Sequence, residues 1–108
     1  MPAKKFASLM LMGTTWTEVT TGQIGYDSTV TVHVVNHNNA DIKINLALTT
    51  ASPIINTPLH DIFELQQIVF AQGSRQFPGI VLPEGITLAA QSDTANVSVL
   101  VYGYEEEL

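Results

Sequence analysis

Over its last third the chain reads Gly79-Ile80-Val81-Leu82-Pro83-Glu84-Gly85 and then Thr94-Ala95-Asn96-Val97-Ser98-Val99-Leu100-Val101-Tyr102-Gly103. Turn-forming residues separate two short apolar runs, and the second alternates apolar with polar positions before a glycine and three glutamates. A period of two puts every second side chain on one face of an extended strand, whereas a helix would scatter the same residues around its circumference. Strands this short and this close in sequence are expected to pair antiparallel. The segment makes the chain all-β.

The same period runs upstream. Val30, Val32 and Val34 alternate with Thr29, Thr31 and His33, and Ile42, Ile44, Leu46 and Leu48 alternate with Lys43, Asn45, Ala47 and Thr49. Between them Asn36-His37-Asn38-Asn39 reads as a turn, because Asn tolerates left-handed backbone and bonds to its own main chain. The two strands are expected to form a hairpin. Residues 51–61, with Pro53, Pro58 and Asn56-Thr57, read as a loop, and a loop of that length is a natural place for partner contacts. From Asp61 to Phe70 the periodicity is ambiguous. Ile62, Leu65, Ile68 and Val69 suit a helix, while Phe63 and Leu65 followed by a shift suit a bulged strand, and the surrounding strands favour the latter.

Shorter strands over Leu9–Met12, Trp16–Val19, Phe77–Leu82, Ile86–Gln91 and Ala95–Tyr102 bring the total to about eight. The expected architecture is a single-domain antiparallel β-sandwich over residues 1–108, jelly-roll-like or Ig-like. It would carry an N-terminal arm (residues 1–8) and an acidic C-terminal tail (residues 104–108).

Charge narrows the partners. The net charge is -6, and the four basic residues, Lys4, Lys5, Lys43 and Arg75, are spread over the chain. Phosphate binding needs clustered cations, so neither nucleic acid nor an anionic membrane is expected as a partner. The chain has no cysteine, which excludes disulfides and thiolate metal sites. Only 13% of residues are charged, against about 25% in an ordinary soluble domain. Thr, Ser, Asn and Gln take their place, a surface suited to a subunit covered by its neighbours. Lys4-Lys5 before Phe6–Met12 faintly resembles a secretory signal, but the apolar stretch is short and broken by Ser8. No run approaches the ~20 apolar residues that span a bilayer.

No catalytic, cofactor or metal constellation is expected. His33 and His37 would make a metal pair on a helix, but four residues of strand separate them by ~13 Å. His60-Asp61 are sequence neighbours, a poor arrangement for an orienting pair. Asp27, Asp41, Asp61 and Asp93 stand at strand starts or turns, where Asp satisfies local backbone donors. Gly22-Gln23-Ile24-Gly25 lacks the strand-to-helix setting of a phosphate loop, and neither Ser8 nor Ser74 sits in a nucleophile elbow. Asn96-Val97-Ser98 matches a glycosylation sequon at the start of a strand.

The run Pro78-Gly79-Ile80-Val81-Leu82-Pro83, then Gly85, Ser92, Ala95 to Val99, Val101, Gly103, Glu105 and Glu106, resembles the C-terminal part of small β-sandwich virion proteins of tailed bacteriophages. The likeness extends from about Val30 to Glu107 and includes the polar turn and the Pro-containing stretch upstream. It implies a structural virion protein without enzymatic residues, placed on the capsid, the tail or a fibre. The leading expectation is a capsid decoration, or cement, protein that binds the major capsid protein shell as a homotrimer. Symmetric association would cover the sheet edges. Lys4, Lys5 and Phe6 of the arm, Pro53, Ile55 and Pro58 of the loop, Glu105, Glu106 and Glu107 of the tail, and Trp16 as an anchor are the expected contacts. The alternatives are a baseplate or fibre-associated adaptor, and a carbohydrate-binding module using Trp16 with Tyr26, Tyr102 and Tyr104.

Overall fold

Period-two alternation carries the chain through eight strands: β1 (Lys4–Leu11), β2 (Thr17–Thr21), β3 (Tyr26–Asn36), β4 (Ile42–Thr49), β5 (Ile62–Val69), β6 (Ser74–Leu82), β7 (Thr87–Ser92) and β8 (Val97–Glu107). The structure, a computed structural model, describes residues 3–108. β1 pairs with β8, β2 with β7, β3 with β6 and β4 with β5, all antiparallel, so the chain is a ribbon folded in half at the β4–β5 connection. Rolling the ribbon brings β3 against β8 and β4 against β7. Two four-stranded sheets result, in the orders β1-β8-β3-β6 and β2-β7-β4-β5. This is the jelly roll of the two expected sandwich types; the Ig order is different.

The rolled ribbon corrects the expected hairpin. β3 and β4 lie in opposite sheets, and the Asn-rich segment between them crosses from one to the other. The Leu82 and Ala95 runs likewise do not pair, because β3 lies between β6 and β8. Both strands already have two neighbours of their own, β6 and β8 for β3 and β5 and β7 for β4, so neither has an edge left for the other.

Two terminal expectations change as well. Met1 and Pro2 lie outside the described residues, but Lys4 to Ser8 of the expected arm belong to β1, paired in register with Leu100 to Gly103. The expected acidic tail is strand through Glu107, with Glu105, Glu106 and Glu107 opposite Ser28, Asp27 and Tyr26. Removing the first residues therefore takes away part of a sheet edge, in place of a detachable arm. Residues 62–69 are a bulged strand as expected: Leu65 and Gln66 together face Asn45, with Gln66 at φ 50°.

Val30, Val32 and Val34 of β3, Ile42, Ile44 and Leu46 of β4, Leu82, Leu88, and Val97, Val99 and Val101 of β8 form the dry core between the sheets. At its end lies one buried polar residue with many partners. The Asn36 amide nitrogen donates to the carbonyls of Ala40 (2.8 Å), Val69 (3.1 Å) and Phe70 (3.2 Å). Its carbonyl oxygen accepts from the backbone and side-chain nitrogens of Asn38, at 2.9 and 3.0 Å. Asn38 in turn donates to Ala95 O at 2.9 Å. At Gly103, β8 runs so close to β3 that a Cβ would stand 2.1 Å from Thr29 O. Only glycine fits in that register.

The register slips of the sandwich all put their surplus residues on edge strands. Phe6 is the extra residue on β1, Val19 on β2, Phe63 and the Leu65-Gln66 bulge are on β5, and Pro78-Gly79 face Thr31 alone on β6. The central pairings β3·β8 and β4·β7 run without a slip. Bulges twist an edge away from a further strand, and Pro78 also removes an N–H, so the edges are poor templates for sheet extension.

Asn36→Ala removes the side-chain donor to the Ala40 and Val69 carbonyls and the acceptor for Asn38, and is expected to lower the unfolding free energy by about 3 kcal/mol in urea denaturation. Ser28 Oγ is buried without a partner among the described residues. Ser28→Ala is accordingly expected to leave stability unchanged or to raise it by up to about 1 kcal/mol in the same experiment.

Candidate functional site

The histidines serve the sheet surface. The amide nitrogen of Gln76 lies 3.2 Å from both His33 Nδ1 and the Tyr102 hydroxyl, which ties β6, β3 and β8 across the outer face of the first sheet. His37 Nε2 is 3.0 Å from Ser98 Oγ, and exposed His60 lies 3.6 Å from the Asp61 carboxylate. Among the described residues no group of three or more His, Cys, Asp or Glu could hold a metal. The pair His33 and His37 is not brought together: each ring has a different neighbour on a different strand.

The expected contact residues, Trp16 apart, gather at one end of the sandwich. Lys4, Lys5 and Phe6 start β1, and Glu105 to Glu107 end β8 beside them. Lys4 Nζ lies 3.2 Å from both oxygens of Glu105 and 5.1 Å from the centre of the Phe6 ring. Asp27 stands directly opposite Glu106, a like-charge pair tolerated because both are exposed to water. Glu84 accepts a 2.6 Å hydrogen bond from Gly25 N–H at the same end.

Residues 50–61 also lie at this end, but they are not a free loop. Two 3-10 turns, Ile54–Asn56 and Leu59–Asp61, pack against β2 and β4. Ala47 and Ala89, which alternation directs to the outside of the second sheet, are fully buried there. Pro53, Ile55 and Pro58 therefore sit on a flap over that sheet, with Ile55 exposed. Trp16 is half-buried at the opposite end, in the β1–β2 connection. Tyr26 and Tyr104 are at the acidic end, opposite Glu107 and Thr29. Trp16 therefore stands apart from Tyr26 and Tyr104, while Tyr102 shares a face of β8 with Tyr104.

The surface that sequence reading missed is the flank formed by β5 and β6. Phe63, Leu65 and Ile68 of β5 and Phe70 just after it are exposed, Ile68 beside Lys43 on the outer face of the second sheet, and Val81 of β6 is exposed beside Thr29 on the outer face of the first. Between the two strands opens a cleft of about 540 Å3. Buried Phe77 and Ile80 and half-buried Leu48 form its base, and Phe63, Glu64, Arg75 and Val81 stand around it. Arg75 donates to Ile68 O at 3.2 Å and its guanidinium lies 5.2 Å from the centre of the Phe77 ring. The bulge explains why the flank was hidden. It interrupts the alternation at Leu65-Gln66, so apolar residues on both sides of it turn outward while Val69 still points in.

No protein-family model matches the chain, and no curated protein matches it. Its chemistry must be read from the surface alone, and that surface offers apolar contact, shape and neutral hydrogen bonding. Leu65→Ser and Phe70→Ser are expected to change stability by less than about 0.5 kcal/mol, because both side chains are already in water. Phe77→Ala, at the base of the cleft, is expected to cost about 3 kcal/mol. Thermal and urea unfolding of the three variants separate surface from core.

Proposed function

We propose that the chain is a non-enzymatic structural subunit of a bacteriophage virion, a capsid decoration protein that binds the major capsid protein shell as a homo-oligomer and stabilises it. The observation that carries this reading is the gathering of Lys4, Lys5, Phe6, Ile55 and Glu105 to Glu107 at one end of a charge-poor jelly roll. The jelly roll is also a fold used repeatedly in viral capsids, and it serves lectins too, so architecture supports the class of protein without deciding it. The likeness of residues 78–106 to phage virion proteins points the same way.

On this reading the work is binding free energy summed over many copies. The end that gathers Lys4, Lys5, Phe6, Ile55 and Glu105 to Glu107 is the proposed shell-facing surface, since the start of β1, the end of β8 and the flap meet there. Quantitative mass spectrometry of purified virions provides the test. A copy number equal to, or a simple fraction of, that of the major capsid protein is expected. A few copies per particle would move the protein to the tail as an adaptor, and absence from particles would end the virion reading.

A further inference from the structure

We infer that the cleft between β5 and β6 is a binding site for a small amphipathic monoanion, a carboxylate head carried on an apolar chain. The inference goes beyond the virion reading and does not depend on it.

The register shows what the cleft is made of. On β6, Arg75, Phe77 and Ile80 stand opposite Val34, Val32 and Val30, the inward residues of β3. On β5, Glu64 stands opposite Leu46, an inward residue of β4. All four therefore face the space between the sheets, at the flank where the sheets part. Phe77 and Ile80 keep 6% and 8% of their surface in water, whereas every other buried apolar residue except Val19 keeps 2% or less. The cleft is thus an opening into the core itself, about 540 Å3 in volume and floored by Phe77, Ile80 and Leu48. Small-molecule sites are commonly concavities of roughly 300–1,000 Å3, mostly apolar, with a few fixed polar groups.

Arg75 supplies the head contact. It reaches from β6 across the flank to donate to Ile68 O on β5 at 3.2 Å, with its guanidinium 5.2 Å from the centre of the Phe77 ring. That bond uses one of its N–H donors, and among the described residues no carboxylate pairs with the rest. A planar fork held over an aromatic ring suits a carboxylate, which it takes through two parallel hydrogen bonds. Arg75 and Ile80 face residues four apart on β3, so the apolar floor runs roughly 13 Å along the strand, room for an extended alkyl chain.

Glu64 limits the ligand to one charge. Ile68 and Glu64 face Lys43 and Leu46, three residues apart on β4, which puts Glu64 roughly 10 Å along β5 from the carbonyl that holds Arg75. A second negative charge on the ligand would meet Glu64, and the whole chain already carries -6. Phosphates and dicarboxylates are disfavoured on that ground, which leaves the single carboxylate.

Titration of the isotopically labelled full chain with decanoate, followed by heteronuclear NMR, tests the site. Saturable shifts are expected for amides of residues 62–65 and 75–81, at one decanoate per chain and with sub-millimolar affinity. Butyrate, which has the head but little of the chain, is expected to bind at least about tenfold more weakly. Arg75→Gln is expected to weaken decanoate binding roughly tenfold, and Glu64→Gln to strengthen it about threefold. Decylammonium is expected to bind more weakly than decanoate. The amide spectra of both variants report whether the fold is retained. An absence of saturable shifts, shifts confined to other surfaces, tighter binding of decylammonium, or affinity indifferent to Arg75→Gln would each overturn the inference. None of these results bears on copy number in virions, so the two proposals fail separately.

Discussion

The buried amide of Asn36 holds together backbone from segments that have just left their sheets. In a ribbon rolled this way, almost every strand hands the chain to the opposite sheet, and only the β4–β5 connection stays within one. Crossings cannot satisfy their peptide groups within a ladder, and a buried unpaired carbonyl is costly. Asn36 answers for Ala40 after β3 and for Val69 at the end of β5, shares Phe70 O with Gly73 N–H, and its partner Asn38 answers for Ala95 before β8. The opposite end uses main chain for the same purpose, with Gly22 N–H bonded to Ile86 O and Gly85 N–H to Gly22 O. Satisfying the crossings lets the two inner faces meet largely through valine, isoleucine and leucine.

That arrangement also determines what is left for function. The two central strand pairs are regular and carry the core valines, while the irregular residues are displaced to the rims. A rim with bulges and a proline resists indiscriminate strand addition, yet it turns side chains outward that a regular strand would have buried. On β5 those side chains are apolar. The consequence is a molecule with exposed apolar side chains around β5 and with acidic side chains collected at one end.

Much of this was legible in the residues. Alternation gave the strands, the inward valines of β3 and β8, the bulge in β5 and the sandwich itself. Pairing was not legible, because period two states which face a residue occupies and says nothing about which strand lies beside it. Asn36-His37-Asn38-Asn39 has the composition of a hairpin turn, and nothing local distinguishes a turn back from a crossing whose first Asn is buried. Gly103 reads as the end of a strand until Thr29 is known to pass behind it. Glu105 to Glu107 read as a solvated tail because their partner strand lies some eighty residues earlier in the chain. The candidate site was lost for a related reason: a bulge erases the period on which the inside and outside of β5 are judged.

Hydrogen–deuterium exchange of the purified chain, followed by mass spectrometry, tests the account most directly. Amides of β3, β8, β4 and β7 should exchange slowest, as befits the regular centre of each sheet. Peptides from the bulged edge at residues 62–69 should exchange faster. A β5 edge as slow as the centre, or β3 amides as fast as the rims, would contradict the claim that the regular central pairs carry the fold.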